Sequence, residues 1–203
     1  MYANVILNKS DFWGSGMKMG RYYKTTYRIT LVALCVAFVT LCSWIAIPFY
    51  VEFTLQLFAV FLLASALPPL ISALGVISYI LLGLVGAPVF ASFKSGFSAF
   101  AGPTGGFIIG FLISSVLISI FIKLYPAHPL FHIGIMLLSL LICYACGIIW
   151  YLLVINGSGC VSVSEILIVF VVPYIVPDVL KIFLVRVIYK KLYPYFERLS
   201  TNP

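Results

Sequence analysis

Charge is what this sequence has least of. Its 203 residues hold 12 Lys and Arg against 5 Asp and Glu, 8% charged in all, while 64% are hydrophobic. Soluble domains run near ~25% charged, so a water-solvated globule is excluded, and with it a soluble enzyme, a disordered chain and a DNA-binding domain. Lys9, Asp11, Lys18, Arg21, Lys24 and Arg28 crowd the N-terminal segment, and Arg186, Lys190, Lys191, Glu197 and Arg198 crowd the other end. Between positions 29 and 185 only Glu52, Lys94, Lys123, Glu165, Asp178 and Lys181 remain. So sparse a stretch describes an all-α integral membrane protein, with room at ~20 residues per span for roughly six transmembrane helices. The net charge of +7 comes from cations flanking the spans. It reads as a topology signal rather than as affinity for nucleic acid.

The chemistry of catalysis is missing too. Cys35, Cys42, Cys143 and Cys146 lie in apolar runs, where a thiol behaves as a small hydrophobe. The Cys143-x-x-Cys146 spacing suits a redox pair but falls mid-span, and Cys160 stands alone in a loop. No G-x-x-x-x-G-K-[ST] occurs, and the glycine-rich segment 102–106 has no Lys after it, so no phosphate-binding loop is present. His128 and His132 are four apart, but Pro129 puts them in a turn, and no metal-ligand spacing exists; no metal or cofactor is expected. A membrane-embedded enzyme using Asp178 as a base would lack a partnering acid, metal or nucleophile. Binding or transport needs fewer polar groups, and those are present.

Residues 1–28 read as a polar, basic arm without the apolar core of a cleavable signal, with Met17 and Met19 as alternative starts. Apolar runs follow at 29–47, 55–67, 70–85, 105–124 and 133–155, separated by Pro48, Pro68-Pro69, Gly86-Ala87-Pro88, the 125–129 turn and the 156–159 loop. A short run at 165–172 is interrupted by Pro173. The last helix is expected to begin with Pro177 in its first turn and to reach about Tyr193. Segment 86–106, GAPVFASFKSGFSAFAGPTGG, is too broken for a helix and is expected to form a glycine-rich external loop between helices 3 and 4. Backbone of that kind survives near membrane depth where protein or an aqueous cavity satisfies its polar groups. Six spans over 29–193 put both termini on one side. The positive-inside bias makes that side cytoplasmic, with 194–203 as a cytoplasmic tail, and puts the loops of Glu52, Lys94 and Glu165 outside. The expected location is the cell membrane, crossed several times.

Two patterns stand out within the spans. Ala33-x-x-x-Ala37 and Gly106-x-x-x-Gly110 have the spacing that lets helix backbones approach closely in lipid. Asp178 and Lys181, three residues apart, share a helix face. Ionisable residues inside a membrane are costly and mark candidate functional sites.

The stretches Gly83-Leu-Val-Gly86-Ala-Pro88-Val-Phe90, Gly102-Pro-Thr-Gly-Gly106-Phe107 and Pro173-Tyr-Ile-Val-Pro177-Asp178-x-x-Lys181 resemble the BioY family, the biotin-specific substrate-binding (S) components of energy-coupling factor (ECF) transporters. Thr54-Leu55-Gln56 and Tyr79 match in order and spacing, and the resemblance covers roughly residues 29–193. The sequence departs from it at Tyr50 and Glu52, where the family usually carries Pro, near Ser92 and Phe93, where it usually has Gly, and at Pro68 and Ser72, where it also has Gly.

The resemblance implies an ECF S-component-like bundle that binds biotin and takes it up, with a transmembrane T component and two ATPase subunits as partners; it also allows for action without them. Biotin brings a ureido ring with two N–H donors and one carbonyl, an apolar thiophane ring and a valerate carboxylate. On this reading Asp178 accepts a ureido N–H, while Lys181 or Gln56 donates to the ureido carbonyl. A buried carboxylate needs a cation, and Lys94 on the glycine-rich loop is the candidate, some family members having a basic residue there. Phe90, Phe93 and Tyr79 are candidate walls for the apolar rings. Ala33 and Ala37 resemble the small-residue face that S components present to the T component. An S component for a different vitamin is the alternative.

Overall fold

In lipid every backbone N–H and C=O must find its partner within the chain, so apolar runs fold as helices. The structure is a computed structural model, described here over residues 9–48, 52–125, 129–155 and 162–201. Helix α1 (Lys9–Trp44) leads into a two-stranded antiparallel ribbon, β1 (Ala46–Ile47) and β2 (Phe53–Thr54), with Ala46 opposite Thr54. Next come α2 (Gln56–Ala66), α3 (Pro69–Val85), the short α4 (Gly96–Phe100), α5 (Gly105–Leu124) and α6 (Pro129–Trp150). The chain closes with α7 (Val163–Phe170) and α8 (Val172–Thr201).

Among the described residues, three stretches are long and apolar enough to cross a membrane: Thr25–Trp44, Gly105–Leu124 and Leu130–Ile155. A fourth is the bent pair Ser164–Phe170 and Val172–Leu192, broken by 42°. Two further apolar helices are shorter, α2 with 11 residues and α3 with 17. At 1.5 Å per residue α2 rises only about 16 Å. It lies in the middle of the bundle, with Ala59, Phe61 and Ala64 fully buried. Many exposed positions on the helices are apolar, among them Leu34, Leu41, Leu81, Leu141 and Leu180.

Close approach of α5 and α6 depends on glycine. A Cβ on Gly106 would run into the carbonyl oxygen of Cys146 and the Cβ of Trp150, and one on Gly110 would sit 2.8 Å from Cα of Cys143. Gly147 of α6 reciprocates by admitting the Phe107 ring. Thus the Gly106-x-x-x-Gly110 pattern serves packing inside this chain, whereas Ala33 and Ala37 lie on the exposed side of α1.

Several expectations change. The last helix starts at Val172, five residues before Pro177. Pro173 occupies its N-terminal turn, where a missing N–H costs nothing. Pro177 removes one i→i−4 bond, a loss the bundle tolerates. Asp178 and Lys181 therefore lie in the second and third turns, away from the helix terminus. Segment 86–106 is partly helical: α4 interrupts the loop, while Ser92 and Phe93 turn through left-handed backbone. Glu165 is more than a loop charge. It completes a reciprocal N-terminal cap with Ser162 that starts α7. His132 belongs to α6 and is fully buried; Nε2 bonds to the Tyr125 carbonyl at 3.0 Å and Arg186 reaches Nδ1 at 3.2 Å. His128, Cys160 and Tyr50 lie outside the described residues. The basic stretch from residue 9 is helical and continuous with the first span.

Candidate functional site

Burying charge in a bundle requires a partner for each charge and each lone pair. Asp178 and Lys181 project from α8 on one face, three residues apart, and each is 6% exposed. Lys181 Nζ donates to Asp178 Oδ1 at 2.8 Å and to the Thr54 carbonyl at 2.7 Å, and lies 3.9 Å above the Phe53 ring. Tyr144 of α6 donates its hydroxyl to the other oxygen, Asp178 Oδ2, at 2.7 Å. These contacts draw α6, α8 and strand β2 together around one charge pair.

The pair forms the polar end of a cavity of about 760 Å³, counting its open mouth. The walls are apolar: Leu57 from α2, Phe90, Phe107 and Phe111 from α5, and Phe170 from α7. Gln56 adds an amide at the polar end. At the mouth, Lys94 and Glu52 form an ion pair at 2.7 Å, with side chains 56% and 11% exposed.

Of the residues singled out from sequence, Asp178, Lys181, Gln56, Phe90 and Lys94 all line this cavity. Tyr79 stands one layer behind. Its hydroxyl accepts from Gln56 Nε2 at 3.0 Å and its ring meets Phe90 edge-on at 5.6 Å, so it positions two lining residues. Phe93 is 61% exposed and packs on Trp44, with ring centroids 4.9 Å apart, away from the cavity. Tyr144, Phe53 and Glu52 were not foreseen. Tyr144 carries no signal, being one tyrosine among 13. Glu52 is one of only five acidic residues, but nothing in the sequence pairs it with Lys94.

An apolar cavity whose end offers a carboxylate, an ammonium and an amide suits a small ligand with an apolar body and a head carrying both donors and acceptors. Each carboxylate oxygen of Asp178 has a lone pair beyond the bond it already accepts. The pattern of the BioY family matches residues 16–198.

The chain belongs to the BioY family.

Among BioY-family relatives, the biotin transporter BioY of Thermotoga maritima is 45% identical over 85 residues, 41% of this chain and 50% of that protein. The probable biotin transporter BioY of Pyrococcus horikoshii is 33% identical over 154 residues, 75% of this chain and 88% of that protein. The aligned part thus spans half the length of the Thermotoga protein. In fold, the chain is similar to the S-component for biotin from an ECF-type ABC transporter, a crystal structure at 2.1 Å. The TM-score is 0.75 at 24% identity, covering 85% of this chain and 93% of that one. Ser92 and Phe93, just before Lys94, adopt left-handed backbone with φ of 53° and 60°. Side chains there carry a steric cost that glycine avoids.

Proposed function

We propose that this BioY-family chain is the biotin-binding S subunit of an ECF transporter and takes up biotin across the cytoplasmic membrane. The observation that carries the reading is the Asp178–Lys181 pair, braced by Tyr144, at the polar end of an otherwise apolar cavity. A ureido head presents two N–H donors and a carbonyl. Asp178 takes an N–H, and Lys181, with Gln56 beside it, takes the carbonyl. The thiophane ring then lies among Phe90, Phe107 and Phe170, and the valerate tail points toward Lys94 at the mouth. At the head Asp178 and Lys181 are each 6% exposed, and hydrogen bonds to a charged group contribute about 1.5–3 kcal/mol each.

The topology follows from the same reading. Counting α2 and α3 with the three long spans and the bent α7–α8 pair makes six crossings over 29–193, with both termini cytoplasmic and Glu52 and Lys94 at the external mouth. The chain has no nucleotide-binding loop to supply energy, so a T component and ATPase subunits supply it, docking on the α1 face that carries Ala33 and Ala37. Direct titration of the purified protein with biotin, thiamin and riboflavin tests the proposal. Saturable binding of biotin alone supports it; preference for another vitamin, or no binding, refutes it.

A further inference from the structure

Glu52 and Lys94 meet at the cavity mouth as an ion pair at 2.7 Å. Thr54 is pinned from below, because its carbonyl accepts from the buried Lys181 at 2.7 Å. Glu52 directly precedes β2, the strand that carries Thr54. The Glu52 side chain is only 11% exposed, while its partner Lys94 is 56% exposed, so the acid faces inward and the base faces water. Both line the cavity.

We infer that Glu52 is a specificity-determining residue that sets how the mouth reads the charge on a ligand's tail, making the site accept neutral, amide-ended tails nearly as well as carboxylates. This rests on the reading of the cavity as a site for a ureido-headed ligand whose tail reaches Lys94. An ammonium has three donors but one charge. With Glu52 already on Lys94, an arriving carboxylate shares that single cation with a second, mostly buried anion. Removing Lys94 from Glu52 altogether would leave a poorly solvated carboxylate unpaired, which is costly. The tail carboxylate therefore gains little from Lys94 and meets a like charge beside it, a form of discrimination by repulsion. A primary amide meets a neutral ion pair and loses nothing.

The test is calorimetric titration of the purified full-length protein with biotin and with biotin primary amide. Wild-type protein is expected to bind the two within about threefold of each other. Glu52→Gln is expected to raise the acid-to-amide affinity ratio by about fivefold, the upper range for a partly exposed charge pair. This gain is expected to shrink at high salt and to vanish when Lys94→Gln is added. A ratio unmoved by Glu52→Gln, or equal shifts for both ligands, would overturn the inference while leaving the biotin reading intact. Failure of wild-type protein to bind either ligand would overturn both. Because the readout is a ratio, a general loosening of the loops does not mimic it.

Discussion

Replacing Asp178 by Asn removes one charge and keeps the shape of the side chain. In the native protein Oδ1 accepts from Lys181 at 2.8 Å and Oδ2 from Tyr144 at 2.7 Å. An asparagine has a single carbonyl oxygen. With that oxygen turned to Lys181, the amide nitrogen faces Tyr144, whose hydroxyl rotates to accept instead. The internal bonds survive, so the bundle is expected to fold. The ligand suffers, because its N–H loses a charged acceptor. Such bonds contribute about 1.5–3 kcal/mol, and at about 1.4 kcal/mol per decade the affinity is expected to fall roughly ten- to hundredfold. Lys181→Ala is a harsher change: it strands a carboxylate in a 6% exposed site and costs about 3–5 kcal/mol of stability unless the acid takes up a proton. Asp178→Asn is therefore the cleaner probe. Calorimetry on detergent-purified protein reads the affinity, and size-exclusion elution at the wild-type volume certifies the fold. Unchanged biotin affinity in a variant that elutes normally would refute the assignment of Asp178 to the ligand.

Three further outcomes follow from the packing. Ala33→Leu and Ala37→Leu enlarge an exposed face of α1 remote from the cavity, so biotin affinity should stay within about twofold of wild type, inside the tolerance expected of surface changes. Reconstituted uptake driven by the ATPase subunits should be lost, and normal uptake would show that the T component docks elsewhere. Gly110→Leu drives a side chain into Cα of Cys143 and should cost about 1–3 kcal/mol or more, seen as a lower melting temperature in detergent. An unchanged melting temperature would mean that α5 and α6 separate without penalty. Ser92→Gly relieves a left-handed residue at φ 53° and should stabilise by up to about 1 kcal/mol, read in the same melting assay. Destabilisation there would show that the Ser92 side chain makes a contact that outweighs the strain.

Long apolar helices were the most legible part of the fold. Runs at 105–124 and 133–155 correspond to α5 and to α6 with its π-helical extension, because a span must satisfy its own backbone and so must be long, apolar and uninterrupted. Proline marks the start of the last helix less sharply than its chemistry suggests. Two prolines before Asp178 suggested a helix start at Pro177, yet α8 begins at Val172 and absorbs the loss of one hydrogen bond. Small residues at four-residue spacing looked alike in α1 and α5. One pair packs inside the chain and the other faces outward, a difference that lies in the neighbours rather than in the spacing. His132 shows the same limit. A histidine expected in a turn is instead a buried group on α6, held by Tyr125 and Arg186, the latter 54 residues away.

The sequence alone determined that the chain lives in a bilayer, because so few charges over so long a stretch leave no other solvent for it. It also singles out Asp178 and Lys181 as charges costly to place within a span, and Lys94 as a candidate cation for a ligand's tail. Tertiary structure alone decided what those groups do to one another. Only packing brings Tyr144 from α6 onto Asp178, the Thr54 carbonyl from β2 onto Lys181, and Glu52 onto Lys94 across 42 residues of chain. Charge scarcity is a property of composition, and pairing is a property of distance, which no composition encodes.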